Sequence, residues 1–150
     1  MSRRLINEQK KNNWPANWLL YKADNTILIF IDTIYKNKTL ILTLDTSNSY
    51  PFRPPHVTCN GIDMQMYYKD LFSSRIQSYK KDCKELAGSN CWCCDTILCK
   101  DKWHNQKRIV DIVDEFKKFH HCKKRAGERY WCKLIAKYLL IEHLPIYEYL

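Results

Sequence analysis

Apolar residues, many of them β-branched or aromatic, dominate residues 18–44, and in the last part of this stretch Leu40, Leu42 and Leu44 alternate with Ile41 and Thr43. Turn sequences interrupt the stretch at Asp24-Asn25 and again at residues 36–38, as is typical between antiparallel strands. A short apolar run before Asn60-Gly61 continues the pattern. The spacing predicts an antiparallel meander of three or four strands, at residues 18–21, 26–33, 39–44 and, as the fourth, 57–59.

Other segments have apolar residues at the three- and four-residue spacing of a helix. We expect a short helix at residues 3–12 and another at 64–83. After Trp103 the spacing predicts one amphipathic helix that contains Ile109 and Phe116, and a further one that contains Trp131 and Tyr138 and stops near Pro145.

The order of these elements predicts an α+β fold, in which an antiparallel meander sheet carries helices packed on one face. At 150 residues the chain has the length of one domain. We therefore expect a single domain over residues 1–150, with an inserted helix at about 64–83 and a C-terminal helical extension at about 126–150. The sequence contains no internal repeat.

The composition narrows the class of protein. The longest uninterrupted apolar run, Ile27 to Ile31, is far shorter than the roughly 20 residues of a membrane span, and the first residues contain no apolar export signal. We therefore expect a cytoplasmic protein without a membrane partner. In that compartment the eight cysteines would be reduced thiols, used for reactivity, metal binding or packing.

The formal net charge of +9 favours an anionic partner, such as a nucleic acid or an acidic protein surface. The positive charge is most concentrated over residues 117–133, where Glu128 is the opposing acid. This basic cluster consists of Lys117, Lys118, Lys123, Lys124, Arg125, Arg129 and Lys133. No nucleic-acid-binding motif accompanies this basic cluster. A solvated helix-loop-helix surface is therefore the simpler interpretation, and a nucleic-acid partner rests on charge alone.

The densest group of reactive side chains is the cysteine segment, residues 91–99, in which Cys91, Cys93, Cys94 and Cys99 lie close together. A zinc site is one interpretation, with Cys91, Cys93 or Cys94, and Cys99 as the first ligands to test, but the spacing lacks the paired C-x2-C units that typically bind zinc, and we assign no metal. Buried packing cysteines are a second interpretation. A third is a reactive thiol whose thiolate is favoured by the lysines and the histidine that follow the segment.

Two further motifs favour the reactive thiol. Residues 50–55 form a Tyr-Pro-Phe-Arg-Pro-Pro sequence, the proline segment, and Trp103 follows the cysteine segment shortly before a predicted helix. Together with residues 94–98, which begin with Cys94, these motifs resemble the ubiquitin-conjugating enzyme family. That family has, in this order, a basic first helix, a meander, a Y-P-F-x-P-P loop, a C-L-x-I-L segment, a tryptophan and an amphipathic helix. The resemblance covers roughly residues 1–120.

The resemblance implies a UBC-like fold and a cysteine that carries ubiquitin or a similar modifier as a thioester, without a cofactor. Cys94 would be the nucleophile, with Cys93 as the substitute candidate. The expected partners are an activating enzyme, bound by the first helix, and a ligase, bound beside the proline segment. The corresponding partner-binding residues are Arg3 and Arg4 for the former, and Phe52, Pro54 and Trp103 for the latter.

The chain also departs from the family pattern. The family's His-Pro-Asn, whose asparagine stabilises an oxyanion, is absent, and Pro55 and Cys94 lie 39 positions apart, about twice the family's usual separation. These departures leave a second interpretation open: a catalytically inactive UBC-fold module with a binding or structural role. The Lys-, Asn-, Ile- and Tyr-rich composition is similar to family members carried by large DNA viruses, for which a host-cell or virion location would be expected.

Overall fold

The computed structural model describes residues 3–21, 23–33, 38–47 and 49–139. Its five helices are α1 (Arg3–Lys11), α2 (Met64–Phe72), α3 (Gln77–Ala87), α4 (Trp92–Asp95) and α5 (Ile109–Tyr138). Its five strands are β1 (Trp18–Tyr21), β2 (Thr26–Thr33), β3 (Lys38–Asp45), β4 (His56–Cys59) and β5 (Ile62–Asp63).

The strands form one sheet in the order β1-β2-β3-β4-β5, and every neighbouring pair is antiparallel. The predicted meander is therefore confirmed, as is the α+β class. The two-residue strand β5 was not predicted. It pairs with β4 because Asn60 and Gly61 both adopt positive φ angles, of 49° and 82°, which is the backbone that a tight hairpin turn requires.

The two faces of the sheet differ in burial. Ile27, Ile29, Leu42 and Leu44 are fully buried and belong to one hydrophobic cluster with side chains of α1, α2 and α5. The intervening residues point to the opposite face, where Leu19, Tyr21 and Ile41 are exposed among the described residues. The period of two in the sequence thus separates a face covered by helices from a face that the described part of the chain leaves exposed.

The helix predicted at residues 64–83 is two helices, α2 and α3. The chain leaves helical geometry at Ser73, whose ψ angle is 129°. The Ser74 hydroxyl then accepts a hydrogen bond from the Ile76 N–H at 3.1 Å. Serine side chains compete in this way with the helical backbone, so the two serines interrupt a segment whose apolar spacing is helical throughout.

The two C-terminal helices of the sequence prediction are one helix, α5, of 30 residues and about 45 Å. Gly127 lies inside it, at a cost of about 1 kcal/mol relative to alanine. Packing on α3 offsets this cost: Ala126 is fully buried, and Lys133 Nζ lies 3.1 Å from Asp82 Oδ2 of α3. Residues 126–138 therefore continue α5, and residues 140–150 lie outside the described residues.

The continuity of α5 changes the interpretation of the basic cluster. No loop separates the basic residues, and two of them, Arg129 and Lys133, pair with Asp82. His120 and His121 lie in the middle of the same helix. None of the helices in the described part of the chain has the length and hydrophobicity needed to cross a bilayer.

His120 packs between α5 and α2. Its Nε2 lies 2.8 Å from the Tyr67 hydroxyl, and its ring lies 4.5 Å from the ring of Phe116. Burial, and to a smaller extent the charge of Lys123, lowers the pKa of His120 from 6.5 to about 4. The imidazole is therefore neutral at pH 7.

The carboxylate of Glu8 joins α1 to two distant segments. Glu8 is 4% exposed. Its Oε1 accepts hydrogen bonds from Arg4 Nε and from the Tyr50 hydroxyl, each at 2.6 Å, and its Oε2 accepts one from the Ile109 N–H at 3.0 Å. These bonds fix the start of the proline segment and the first turn of α5 on α1.

Replacing Glu8 is expected to destabilise the fold. Glu8→Ala leaves the Tyr50 hydroxyl and the Ile109 N–H buried without their acceptor, and should lower the free energy of unfolding by about 3 kcal/mol. Urea denaturation measures this value. The control is Glu85→Ala, because Glu85 is exposed and pairs with Lys81 only at 4.0 Å; it should change stability by less than about 0.5 kcal/mol. Equal effects of the two variants would contradict the role assigned to Glu8.

His120 makes stability depend on pH. Between pH 6.5 and about 4 the unfolded chain binds a proton that the folded imidazole does not, so stability rises with pH in this window and is lost as the pH falls. Allowing for partial exposure, we expect a loss of at most about 2 kcal/mol. Denaturation at a series of pH values should show a shallower slope for His120→Gln. The exposed neighbour supplies the control, since His121→Gln should keep the wild-type slope; a wild-type slope in both variants would refute the assignment.

Candidate functional site

The cysteine turn, residues 91–95, is fixed by one buried side chain. Trp92 is fully buried, stacks on Phe119 at a centroid distance of 4.8 Å and 4° between planes, and contacts Phe72 at 5.3 Å. Successive residues of a helical turn point in different directions, so the inward position of Trp92 leaves its cysteine neighbours toward the surface. Cys94 is exposed, whereas Cys91 and Cys93 are partly buried.

The three thiols of the turn are close together. The sulfurs of Cys91 and Cys93 are 2.9 Å apart, those of Cys93 and Cys94 are 3.7 Å apart, and all three lie within 4.8 Å of one another. The hydrogen bond shared with Cys93 lowers the pKa of Cys91. The same bond, in which Cys93 keeps the proton, is the main cause that raises the pKa of Cys93 to about 12, and burial adds to it. The turn can therefore hold a thiolate on Cys91 next to a protonated Cys93.

Two carboxylates anchor the turn. The Asp95 carboxylate accepts hydrogen bonds from the Ser89 hydroxyl at 3.0 Å and from the Cys91 N–H at 3.4 Å, and it lies 3.7 Å from Lys102 Nζ. The hydroxyl bond is the main cause that lowers the pKa of Asp95. The carboxylate is therefore charged at neutral pH and ties the start of the turn to its end.

Glu115 of α5 is the second anchor. Its carboxylate accepts hydrogen bonds from the Thr96 hydroxyl and, at 3.0 Å, from the Ile97 N–H. Burial raises the pKa of Glu115, while these two bonds oppose the rise. The chain that follows the turn is thus attached to the same helix that covers the sheet.

The proline segment lies against Trp103. The Trp103 indole N–H donates to the Pro51 carbonyl at 2.9 Å, and its ring lies 6.1 Å from the ring of Tyr50. The Trp103 backbone N–H in turn donates to the Cys99 carbonyl at 2.9 Å. Trp103 therefore connects the cysteine segment to the proline segment, although the two are distant in the sequence.

The structure gives different surroundings to the remaining predicted site residues. Arg3 is exposed, whereas Arg4 bonds to Glu8 and donates through Nη2 to the carbonyls of Asn105 and Lys107 at 3.2 and 3.3 Å. Phe52 is 77% exposed, and Pro54 is partly buried. Trp103 and Arg4 are thus tied into the fold, while Arg3 and Phe52 are available at the surface.

A polar cleft of about 450 Å³ adjoins the turn. Asn90, Asp95 and Lys102 line it, with Glu115 and Lys118 on the side of α5. Asn90 is exposed. The cleft has room for a side chain of the size of lysine, and it offers both carboxylates and cations to such a group.

Sequence reasoning missed the buried carboxylate of Glu8 and the partly buried carboxylate of Glu115. A signal for both was present, because each lies on the apolar side of its helix. Glu8 follows Leu5 by three residues, and Glu115 lies three residues after Ile112 and four before Phe119. An acid on the buried side of an amphipathic helix needs hydrogen-bond donors from another segment, and therefore indicates a long-range contact.

Comparison of the chain with protein-family models, curated proteins and solved structures finds no match. The cysteine turn, the proline segment and the side chains that join them carry the functional assignment.

The cysteines should differ strongly in reactivity. Burial raises the pKa of both Cys59 and Cys83 from 9.0 to about 11. Their thiolate fraction at pH 8 is therefore about 100-fold below that of an unperturbed thiol, before steric shielding is counted. Iodoacetamide should label Cys91 and Cys94 first, and Cys59 and Cys83 at least about 100-fold more slowly, as measured by peptide mass spectrometry over time. Labelling of Cys59 at the rate of Cys94 would contradict this arrangement.

Proposed function

We propose that this protein is a divergent ubiquitin-conjugating-enzyme-like carrier, which accepts ubiquitin or a ubiquitin-like modifier as a thioester on Cys94. The observation that carries the proposal is the exposed Cys94 thiol on an anchored turn, in a chain whose proline segment is held by Trp103. The resembled family has its reactive cysteine between these same two motifs. The UBC-like identity of the α+β fold is part of the proposal.

Accessibility favours Cys94 over the other thiols of the turn. A modifier is a whole protein, and the carbonyl carbon at its C-terminus must reach the sulfur that attacks it. Cys94 is exposed, whereas Cys91 and Cys93 are partly buried and hydrogen-bonded to each other. Cys93, whose sulfur lies 3.7 Å from that of Cys94, is the substitute nucleophile.

The chemistry consists of two acyl transfers. In the first, the Cys94 thiolate attacks the carbonyl carbon of the modifier's thioester on the activating enzyme; a new C–S bond forms, the old one breaks, and the activating enzyme's thiolate leaves. In the second, a lysine amine attacks the new thioester, an amide bond forms, the Cys94 thiolate leaves, and the amine's proton passes to solvent. The carrier supplies the nucleophile and the leaving group.

The proline segment supplies a surface for a ligase. Phe52 protrudes with 77% of its surface exposed. The peptide group before it is held by both of its polar atoms, since the Phe52 N–H donates to the Ser49 carbonyl at 2.8 Å and the Pro51 carbonyl accepts from Trp103. An exposed aromatic ring on a fixed loop is typical of the anchor residues that fill a partner's pocket at low entropic cost. The partly buried Pro54 and Trp103 would border the same contact.

Helix α1 supplies the surface for an activating enzyme. Arg3 and Lys10 are both exposed and lie seven residues apart, which puts them on one side of the helix. The Arg4 guanidinium instead bonds to Glu8 and to two carbonyls of the chain before α5. We therefore assign the partner contact to Arg3 and Lys10, and to Arg4 the attachment of α1 to α5.

The second transfer is the slower one in this proposal. Attack by lysine builds an oxyanion, and the chain lacks the His-Pro-Asn whose asparagine stabilises it in the resembled family. Loss of one such donor costs roughly 100- to 1000-fold in rate. Accepting the acyl group needs mainly an exposed thiolate, so thioester formation should survive better than discharge. Asn90, in the cleft beside the turn, is the nearest asparagine in sequence.

A charging assay tests the proposal. The protein, mixed with an activating enzyme, ATP and ubiquitin, should form an adduct on gels that a reducing thiol removes, as a thioester requires. Cys94→Ser should give a reductant-resistant oxyester or no adduct. Discharge of the wild-type thioester to free lysine should be roughly 100- to 1000-fold slower than for a family member that has the asparagine.

The matched controls are Cys99→Ser and Cys132→Ser, which remove half-buried cysteines and should charge like the wild type. An adduct retained in Cys94→Ser but lost in Cys93→Ser would move the nucleophile to Cys93. The absence of any adduct with ubiquitin or ubiquitin-like modifiers and their activating enzymes would favour a catalytically inactive module that binds partners through Phe52.

A further inference from the structure

The cysteine turn contains three neighbouring thiols, whereas acyl transfer uses one nucleophile. Cys91, Cys93 and Cys94 place three Sγ atoms within 4.8 Å of one another. We propose that these three cysteines form a binding site for a thiophilic d¹⁰ cation of the zinc class, with three thiolate ligands and a fourth position open to a solvent molecule. The sequence alone gave no metal assignment, because the C-x-C-C spacing is not that of paired zinc-binding motifs.

The distances suit such an ion. With Zn–S bonds of about 2.3 Å, two sulfurs of a tetrahedral site lie about 3.8 Å apart. The sulfurs of Cys93 and Cys94 are already 3.7 Å apart. The sulfurs of Cys91 and Cys93, at 2.9 Å, need to separate by about 0.9 Å to reach this value, which a small change in the χ1 angle of either residue provides.

The fold orders the ligands before an ion binds. Trp92, between Cys91 and Cys93, is fully buried and stacked on Phe119, so the turn cannot rotate as a unit. Asp95 holds the Cys91 N–H at 3.4 Å and thereby fixes the first ligand's backbone relative to the end of the turn. Such pre-ordering lowers the entropic cost of binding.

The ligand set indicates an open site rather than a closed structural one. Within the described residues, the group of potential ligand atoms has three members, and Cys83 and Cys99 are outside it. Three protein ligands with a free fourth position are typical of accessible zinc sites, whereas structural sites have four. Thiolates select zinc-like and Cu(I) ions over Mg²⁺ and Ca²⁺, which prefer oxygen ligands.

The site has a consequence for acyl transfer that, unlike the site itself, rests on the proposed function. Cys94 is both a ligand of the proposed ion and the proposed nucleophile. A thiolate bonded to the cation shares its electron pair with the metal and is a poor acyl acceptor. The ion and the acyl group therefore exclude each other on Cys94, and zinc would act as a reversible inhibitor of charging.

Metal titration of the full chain tests the site. The reduced, chelator-treated protein is titrated with Zn²⁺ against a chromophoric competitor, and native mass spectrometry gives the stoichiometry. We expect one ion per chain. Since the loss of a residue that merely supports a ligand costs 10- to 100-fold in affinity, Cys91→Ser, Cys93→Ser and Cys94→Ser should each weaken binding by more than about 100-fold.

The matched controls are Cys99→Ser, five residues from Cys94, and Cys132→Ser on α5; both should bind zinc like the wild type. Circular dichroism confirms that each variant is folded. Absence of zinc binding in the wild type, full binding in Cys93→Ser, or loss of binding in Cys99→Ser would each overturn the three-cysteine site. The titration needs no activating enzyme, and the charging assay is run in metal-free buffer. A failure of zinc binding and a failure of thioester formation can therefore be told apart.

Discussion

The buried carboxylate of Glu8 is the interaction on which the arrangement of the chain depends. It accepts hydrogen bonds from Arg4 within α1, from the Tyr50 hydroxyl and from the Ile109 N–H at the start of α5. A charge at 4% exposure is costly unless its oxygens are satisfied, and here the donors come from three separated parts of the sequence. The requirement to satisfy one anion therefore fixes the first helix, the proline segment and the long helix relative to one another.

Helix α5 transmits this constraint to the cysteine turn. Near its start α5 bonds to Glu8. About two and three turns later, Glu115 and Phe119 hold the residues around the cysteine turn, and farther along α5 packs on α3. The turn is thus attached to the core through a carboxylate and a stacked pair of aromatic rings. This attachment keeps the thiols at the surface while the tryptophan among them is fully buried.

The position of the thiols accounts for the two chemistries proposed for them. An exposed Cys94 can accept an acyl group, and the same sulfur together with Cys91 and Cys93 can hold a soft cation. Both uses draw on the thiolate's electron pair, so they compete. Taken together, the two proposals predict that acyl transfer on this turn depends on the availability of thiophilic metal ions.

The sequence by itself determined the antiparallel meander, the helical segments and the α+β class, because periods of two and of 3.6 residues are local properties of the chain. It also indicated Cys94, Phe52 and Trp103 as chemically notable residues. Only the tertiary structure decided that residues 109–138 form one helix, since burial of Ala126 against neighbouring elements and the Asp82 ion pairs offset the cost of Gly127. The tertiary structure alone also brought the three sulfurs together and placed hydrogen-bond donors beside Glu8 and Glu115. Such contacts depend on side-chain directions and on residues far apart in the chain, and no local sequence pattern specifies either.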